Sequence, residues 1–98
     1  MLPQGQLFVS TLPDGRRLRT TVYTFEKAGD EIPMHDHPYW HNCQVVIGGI
    51  RIYDDEGKSV TLGPGELAGL KAKRKHAIQA TEDGTIAINI NEPDLWPL

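Results

Sequence analysis

Apolar and polar positions alternate along this chain in short runs, and turn residues separate the runs. "LFVST", "LRTTVYTF", "CQVVI", "IRIY", "SVTL", "HAIQA" and "TIAINI" are rich in β-branched and aromatic residues, which suit a pleated, half-buried surface. Between them stand "PDG" at 13–15, "KAGD" at 27–30, "GG" at 48–49, "DDEG" at 54–57, "GPGE" at 63–66 and "EDG" at 82–84, all chain-reversing sequences,. No window of about 11 residues or more keeps a helical apolar period without a Gly or Pro inside it,. The pattern predicts an all-β fold, a sandwich or barrel of short antiparallel strands.

Period-two alternation assigns faces. In "TIAINI", Ile86, Ile88 and Ile90 share one face, and Ala87 and Asn89 take the other,. In "RTTVYTF", Val22 and Thr24 oppose Tyr23 and Phe25,. "VVI" is apolar on both faces, which predicts a central strand whose outer side is covered, as a second subunit would cover it,. The tail "NEPDLWPL" reads as an irregular strap, with Leu95 and Trp96 packed onto the body or a partner.

Composition narrows the picture. With 98 residues, 39% hydrophobic and 23% charged, the chain is expected to be a single soluble domain spanning 1–98 with one modest core,. A formal charge of −3 argues against a nucleic-acid partner, which needs a clustered cationic excess,. The local exception is "KAKRKH" at 71–76. In extended form it divides Lys71, Lys73 and Lys75 from Ala72 and Arg74, so it reads as a solvated loop; lying over a pocket mouth, it would attract an anionic substrate,. No basic segment leading into a long apolar core marks a signal peptide, and no apolar run approaches the ~20 residues of a membrane span,. Cys43 is the only cysteine and has no intrachain disulfide partner, so a cytoplasmic location is the expectation,.

The chemistry concentrates in "MHDHPYWHNC", residues 34–43, which holds three of the four histidines. A helix would place His37 and His41 on one face, but Pro38 lies between them and Pro33 just upstream, and an interior proline costs a helix about 3 kcal/mol. In an extended strand His35 and His37 share a face, with Asp36 turned away,. "PYW" then reverses the chain, so that His41 begins the next antiparallel strand, and His76 opens "HAIQA" on a neighbouring one. A lone histidine is usually a surface or hydrogen-bonded residue. Four converging on one site point to a metal ion, because neutral imidazole suits Zn, Cu, Fe and Ni.

The spacing of these residues resembles the cupin family of small jelly-roll β-barrels. Gly29, five residues, His35-x-His37, three residues, His41, six residues and Gly48 follow the first cupin motif, with His41 where the family usually has Glu. "LGPGELAGLKAKRKHAIQA" is similar to the second motif, with Pro64, Gly65, Glu66 and His76 in place, Lys71 and Lys73 where a P-x-G pair is usual, and Ala80 where Asn is common. The resemblance covers about residues 20–90 and leaves a tail at 91–98. It implies a cupin-type jelly roll with His35, His37, His41 and His76 as four ligands of one divalent metal, Mn, Fe, Cu, Ni or Zn. It also implies a homodimer paired through a sheet edge or an exchanged N-terminal strand, consistent with "VVI" and "LFVST".

Four nitrogen ligands leave an octahedral metal two open positions, enough for a bidentate substrate or for substrate with dioxygen. Alternation from His41 and His76 turns Cys43, Val45, Ile78 and Ala80 inward, and Tyr23 or Phe25, Met34 or Tyr39, and Ile86 or Ile88 are candidate walls,. The expected pocket is mostly apolar and poor in acids and bases, which suits a dioxygenase-like oxidoreductase acting on a small organic molecule. The competing readings are a non-catalytic sensor or storage module and a Lewis-acid isomerase or lyase. Cys43 is read as a small buried hydrophobe rather than a ligand. Glu66 is read as a turn former, and Trp40 with Tyr39 as a lid or a packed turn.

Overall fold

The computed structural model describes residues 1–37 and 40–91, so the expectations for Tyr39 and for the tail with Leu95 and Trp96 lie outside the described residues. Among the described residues nine strands form: β1 Gln4–Thr11, β2 Arg17–Phe25, β3 Glu31–His35, β4 His41–Ile47, β5 Ile50–Asp54, β6 Ser59–Leu62, β7 Leu67–Leu70, β8 His76–Ala80 and β9 Thr85–Asn91. They make two sheets, β1-β2-β9-β4-β7 and β3-β8-β5-β6, in which every pairing is antiparallel. This is the expected all-β jelly-roll barrel. No helix long and apolar enough to cross a membrane occurs among the described residues.

The turns fall where the sequence places them. Gly15, Gly29, Gly48, Gly57, Gly65 and Gly84, one from each turn signal, all have positive φ, the region that glycine enters at little steric cost. At Gly48 space is as restrictive as φ, because a Cβ there would stand 2.3 Å from Thr85 Oγ1. Thr85 is fully buried; its hydroxyl donates to the Glu82 carbonyl at 2.8 Å and accepts from the Gly49 amide at 3.3 Å. One backbone position thus holds the β4–β5 reversal against the start of β9.

Strand β7, "LAGL", is not among the segments the alternation marks, because a glycine interrupts a run of only four residues. It forms as the edge partner of β4, pairing His41 with Leu70 and Cys43 with Ala68. Strands β3 and β4 do not form the expected antiparallel pair: they lie in different sheets.

Inward side chains stack in layers set by register. Phe25 and Thr85 share a layer, Tyr23 and Ala87 the next, Thr21 and Asn89 the next, and Arg19 and Asn91 the last. Strand β4 adds Val45 beside Ala87 and Cys43 beside Asn89, with His41 two residues further along. One end of the barrel is therefore apolar, filled by Phe25, Val45, Ile50, Ile52, Leu62 and Ile78, each such burial contributing about 1.5–3 kcal/mol. The other end is polar. On β9 the structure corrects the predicted wall: Ala87, Asn89 and Asn91 lie on the cavity side, and Ile86 and Ile88 lie on the outer face. Val45 is buried as expected, but Val46 and Ile47 are 48% and 54% exposed, so the described residues leave the outer side of "VVI" largely uncovered.

Gly48→Ala should combine a disfavoured φ with an overlap that backbone neighbours cannot relieve. The expected loss is about 2–4 kcal/mol of unfolding free energy, measured by urea denaturation. Wild-type stability in the variant would show that the turn adapts.

Candidate metal centre

The histidines reach the centre from both sheets. His35 ends β3, His37 follows it, His76 opens β8 and His41 opens β4. The β3–β8 pairing sets His35 directly opposite His76. His35, His37 and His76 each offer a ring nitrogen, and these atoms lie within 4.8 Å of one another. His41 adjoins this cluster, its ring centroid 4.9 Å from that of His37 and 5.4 Å from that of His76. The four residues singled out from the sequence are thus brought together, with three in a compact cluster and the fourth beside it.

Two main-chain carbonyls orient the rings. His76 Nδ1 is 3.0 Å from the Arg74 carbonyl, and His35 Nδ1 is 2.6 Å from the Pro33 carbonyl. A carbonyl oxygen only accepts, so each Nδ1 carries the proton and each Nε2 keeps its lone pair. Such a bond to the far nitrogen is the usual support of a metal-ligating histidine. His76 Nε2 is buried and has no hydrogen-bond partner among the described residues. A buried nitrogen lone pair without a partner, inside a cluster of imidazoles, is the donor set that a divalent metal requires, and the site fits one.

Electrostatics favour the neutral forms of His37, His41 and His76. Burial, with the neighbouring His35 and His76, pushes the pKa of His37 down to about 4. Burial again, with His37, His76 and His35, pushes His41 down to about 3. His76 is lowered by burial, partly offset by the Arg74 carbonyl.

Two openings flank the cluster. A cavity of about 270 Å³ is lined by Leu7, Arg19, Thr21, Tyr23, His37, His41, Asn89 and Asn91. A groove of about 370 Å³ on the other side runs along Ile52, Tyr53, Lys58, Val60, Leu70 and Arg74 and includes His76. The expected apolar chamber is therefore corrected: the cavity beside His37 and His41 is polar, and Leu7 is its only aliphatic wall residue among the described residues. Arg19, Thr21, Asn89 and Asn91 were missed. Their signal was available, since stepping by twos from the buried Phe25 reaches Tyr23, Thr21 and Arg19, and stepping from Ala87 reaches Asn89 and Asn91.

The remaining candidates separate clearly. Asp36 is exposed, as alternation predicts. Glu66 Oε1 accepts the Gly63 amide at 2.7 Å and closes the turn before β7. Residues 71–75 do not run as an extended segment: Lys73 adopts φ 62° in a turn, and Lys71, Arg74 and Lys75 line the same groove. Trp40 is exposed. Cys43 belongs to the core, where burial pushes its thiol up to about 12, so it stays protonated and is no thiolate ligand.

Two outcomes follow. Lowered histidine pKa values mean that the unfolded chain binds more protons below pH ~6.5. The metal-free protein should therefore hold its full stability above that pH and lose it as pH falls through about 4 and on toward about 3. Urea midpoints across this range check it, and midpoints that rise on acidification would contradict it. Cys43 should resist a disulfide reagent at pH 8 in the native protein and react fully in urea,.

Residues 21–90 match the family model described as "Cupin domain". No curated protein matches the chain. Among solved structures, it is similar to an uncharacterized conserved protein with a double-stranded beta-helix domain from Klebsiella pneumoniae subsp. pneumoniae, at TM-score 0.75 and 20% identity over 94% of this chain and 77% of that one. It is also similar to KdgF from Halomonas sp., at TM-score 0.73 and 21% identity over 95% and 83% of the two chains. A cupin superfamily protein from Desulfitobacterium hafniense aligns at TM-score 0.72 and 16% identity over 94% and 80%. At these identities the structural likeness speaks for the fold, and the family match adds the sequence: this chain belongs to the cupin domain family.

Proposed function

We propose that this cupin is a metal-dependent oxidoreductase, dioxygenase-like, acting on a small organic molecule at a centre formed by His35, His37, His41 and His76. The observation that carries the reading is that His37 and His41 adjoin a cavity whose lining, among the described residues, holds no carboxylate and no lysine. Isomerisation or elimination needs a positioned base to take a proton from carbon. With the histidines given over to the metal, the described lining offers only the hydroxyls of Tyr23 and Thr21. A bound Mn, Fe or Cu supplies redox chemistry with dioxygen, whereas Zn or Ni supplies Lewis acidity alone.

The chain's own part is to bind and orient. The Pro33 and Arg74 carbonyls fix the tautomers of His35 and His76 and leave their Nε2 atoms as donors. Desolvation keeps His37 and His41 neutral at working pH, so no proton competes for their nitrogens. The polar cavity would receive the substrate, and His37 and His41 form its wall on the side of the histidine cluster.

Oxygen uptake by protein loaded with Fe, Mn or Cu, measured across a panel of small organic compounds, tests the reading. Substrate-dependent uptake is expected, falling at least about 100-fold in His76→Ala. Turnover that survives chelation would exclude a metal mechanism. Equal turnover with Zn would favour Lewis-acid chemistry, and tight binding without turnover would make the protein a sensor or storage module.

A further inference from the structure

We propose that Arg19 and Asn91 form a carboxylate-binding subsite in the cavity beside the histidines, so that the molecule the protein takes up is a small organic acid. The inference rests on the reading above only in that a ligand in this cavity meets the histidine centre.

Register brings the subsite together. Arg19 on β2 pairs directly with Asn91 on β9, and Thr21 pairs with Asn89 in the next layer. Opposed residues on antiparallel strands have Cβ atoms about 4.5–5.5 Å apart, so each pair presents its polar heads side by side. Arg19 Nε, Asn89 Oδ1 and Asn91 Nδ2 are all buried and without a hydrogen-bond partner among the described residues. Asn91 is only 9% exposed. Buried polar atoms are nearly always paired, and leaving one unpaired costs the full desolvation of that group. Three in a single cavity amount to a set of contacts waiting for a partner.

The chemistry of that partner follows from the donors. A guanidinium is a planar fork of N–H groups that matches a carboxylate in bidentate fashion, and it keeps its charge at every working pH. Among the described residues no carboxylate lines the cavity to neutralise Arg19. Asn91 Nδ2 adds a neutral donor beside it, and Asn89 Oδ1 is an acceptor one layer deeper, placed for a hydroxyl on the same acid. His37 and His41 face the same space, so an acid anchored on Arg19 has its other end toward the imidazoles. The cavity, about 270 Å³, suits an acid of a few carbons.

The test titrates lactate, malonate and succinate, and the neutral amide of each, into zinc-loaded and metal-free protein. Calorimetry and the side-chain amide resonances of Asn89 and Asn91 report binding. At least one carboxylate should bind saturably and shift those resonances, while its amide does not. Arg19→Gln should weaken it by about 10- to 100-fold. Asn91→Asp places a carboxylate beside Arg19 and should block the acid as strongly, with the thermal midpoint unchanged or raised. This second variant keeps the test valid where Arg19→Gln folds poorly. Binding that is equal for acid and amide, indifferent to both substitutions, or absent for all three acids overturns the proposal. Both variants should load metal as the wild type does, so loss of acid binding with metal retained leaves the centre standing. If no form of the protein takes up metal, the metal-free titration still decides the subsite.

Discussion

Four imidazoles packed with neighbouring ring centroids 4.5–5.7 Å apart can share so small a volume only if they stay neutral. Coulomb repulsion between imidazolium ions at that separation, in a medium less polar than water, would open the barrel. Burial therefore does two things at once. It drives His37, His41 and His76 to their neutral forms, and it leaves the His76 Nε2 lone pair where water cannot satisfy it. A cation that accepts several nitrogens answers both conditions, and the barrel's layout follows from enclosing these rings without charging them.

The two sheets divide the work. The β3–β8 pairing sets His35 against His76, while β4 brings His41 from the opposite wall. The same inward rows that carry Phe25, Val45 and Ala87 at one end carry Arg19, Asn91 and His41 at the other. The apolar end supplies cohesion, and so the polar end can hold buried groups that would be a liability in a core of their own. Fold and site are thus two stretches of the same strands, separated by two or three residues of register.

Much of this was legible from residue order. Alternation and turn residues gave an all-β chain, and each turn signal holds a glycine with positive φ. The spacing from Gly29 to Gly48 named the histidines that the structure gathers. What was not legible has physical causes. Alternation on β9 separates Ile86 and Ile88 from Ala87 and Asn89 but does not say which side is inside. The usual preference for burying isoleucine chose wrongly, because this barrel turns small and polar residues inward at its open end. The spacing of His37 and His41 did not reveal that β3 and β4 belong to different sheets rather than to one hairpin. Strand β7 is held by its neighbour β4 rather than by its own propensity.

The central claim is that the histidine cluster is a metal centre, and metal content measures it most directly. Protein purified without chelator, then stripped, reloaded and desalted, should retain about one divalent metal per chain. His35→Ala, His37→Ala and His76→Ala should each lose most of it while keeping the wild-type strand signature in far-UV circular dichroism. Wild-type protein that retains no Mn, Fe, Cu, Ni or Zn after reloading, or single variants that retain metal as well as the wild type, would contradict the account.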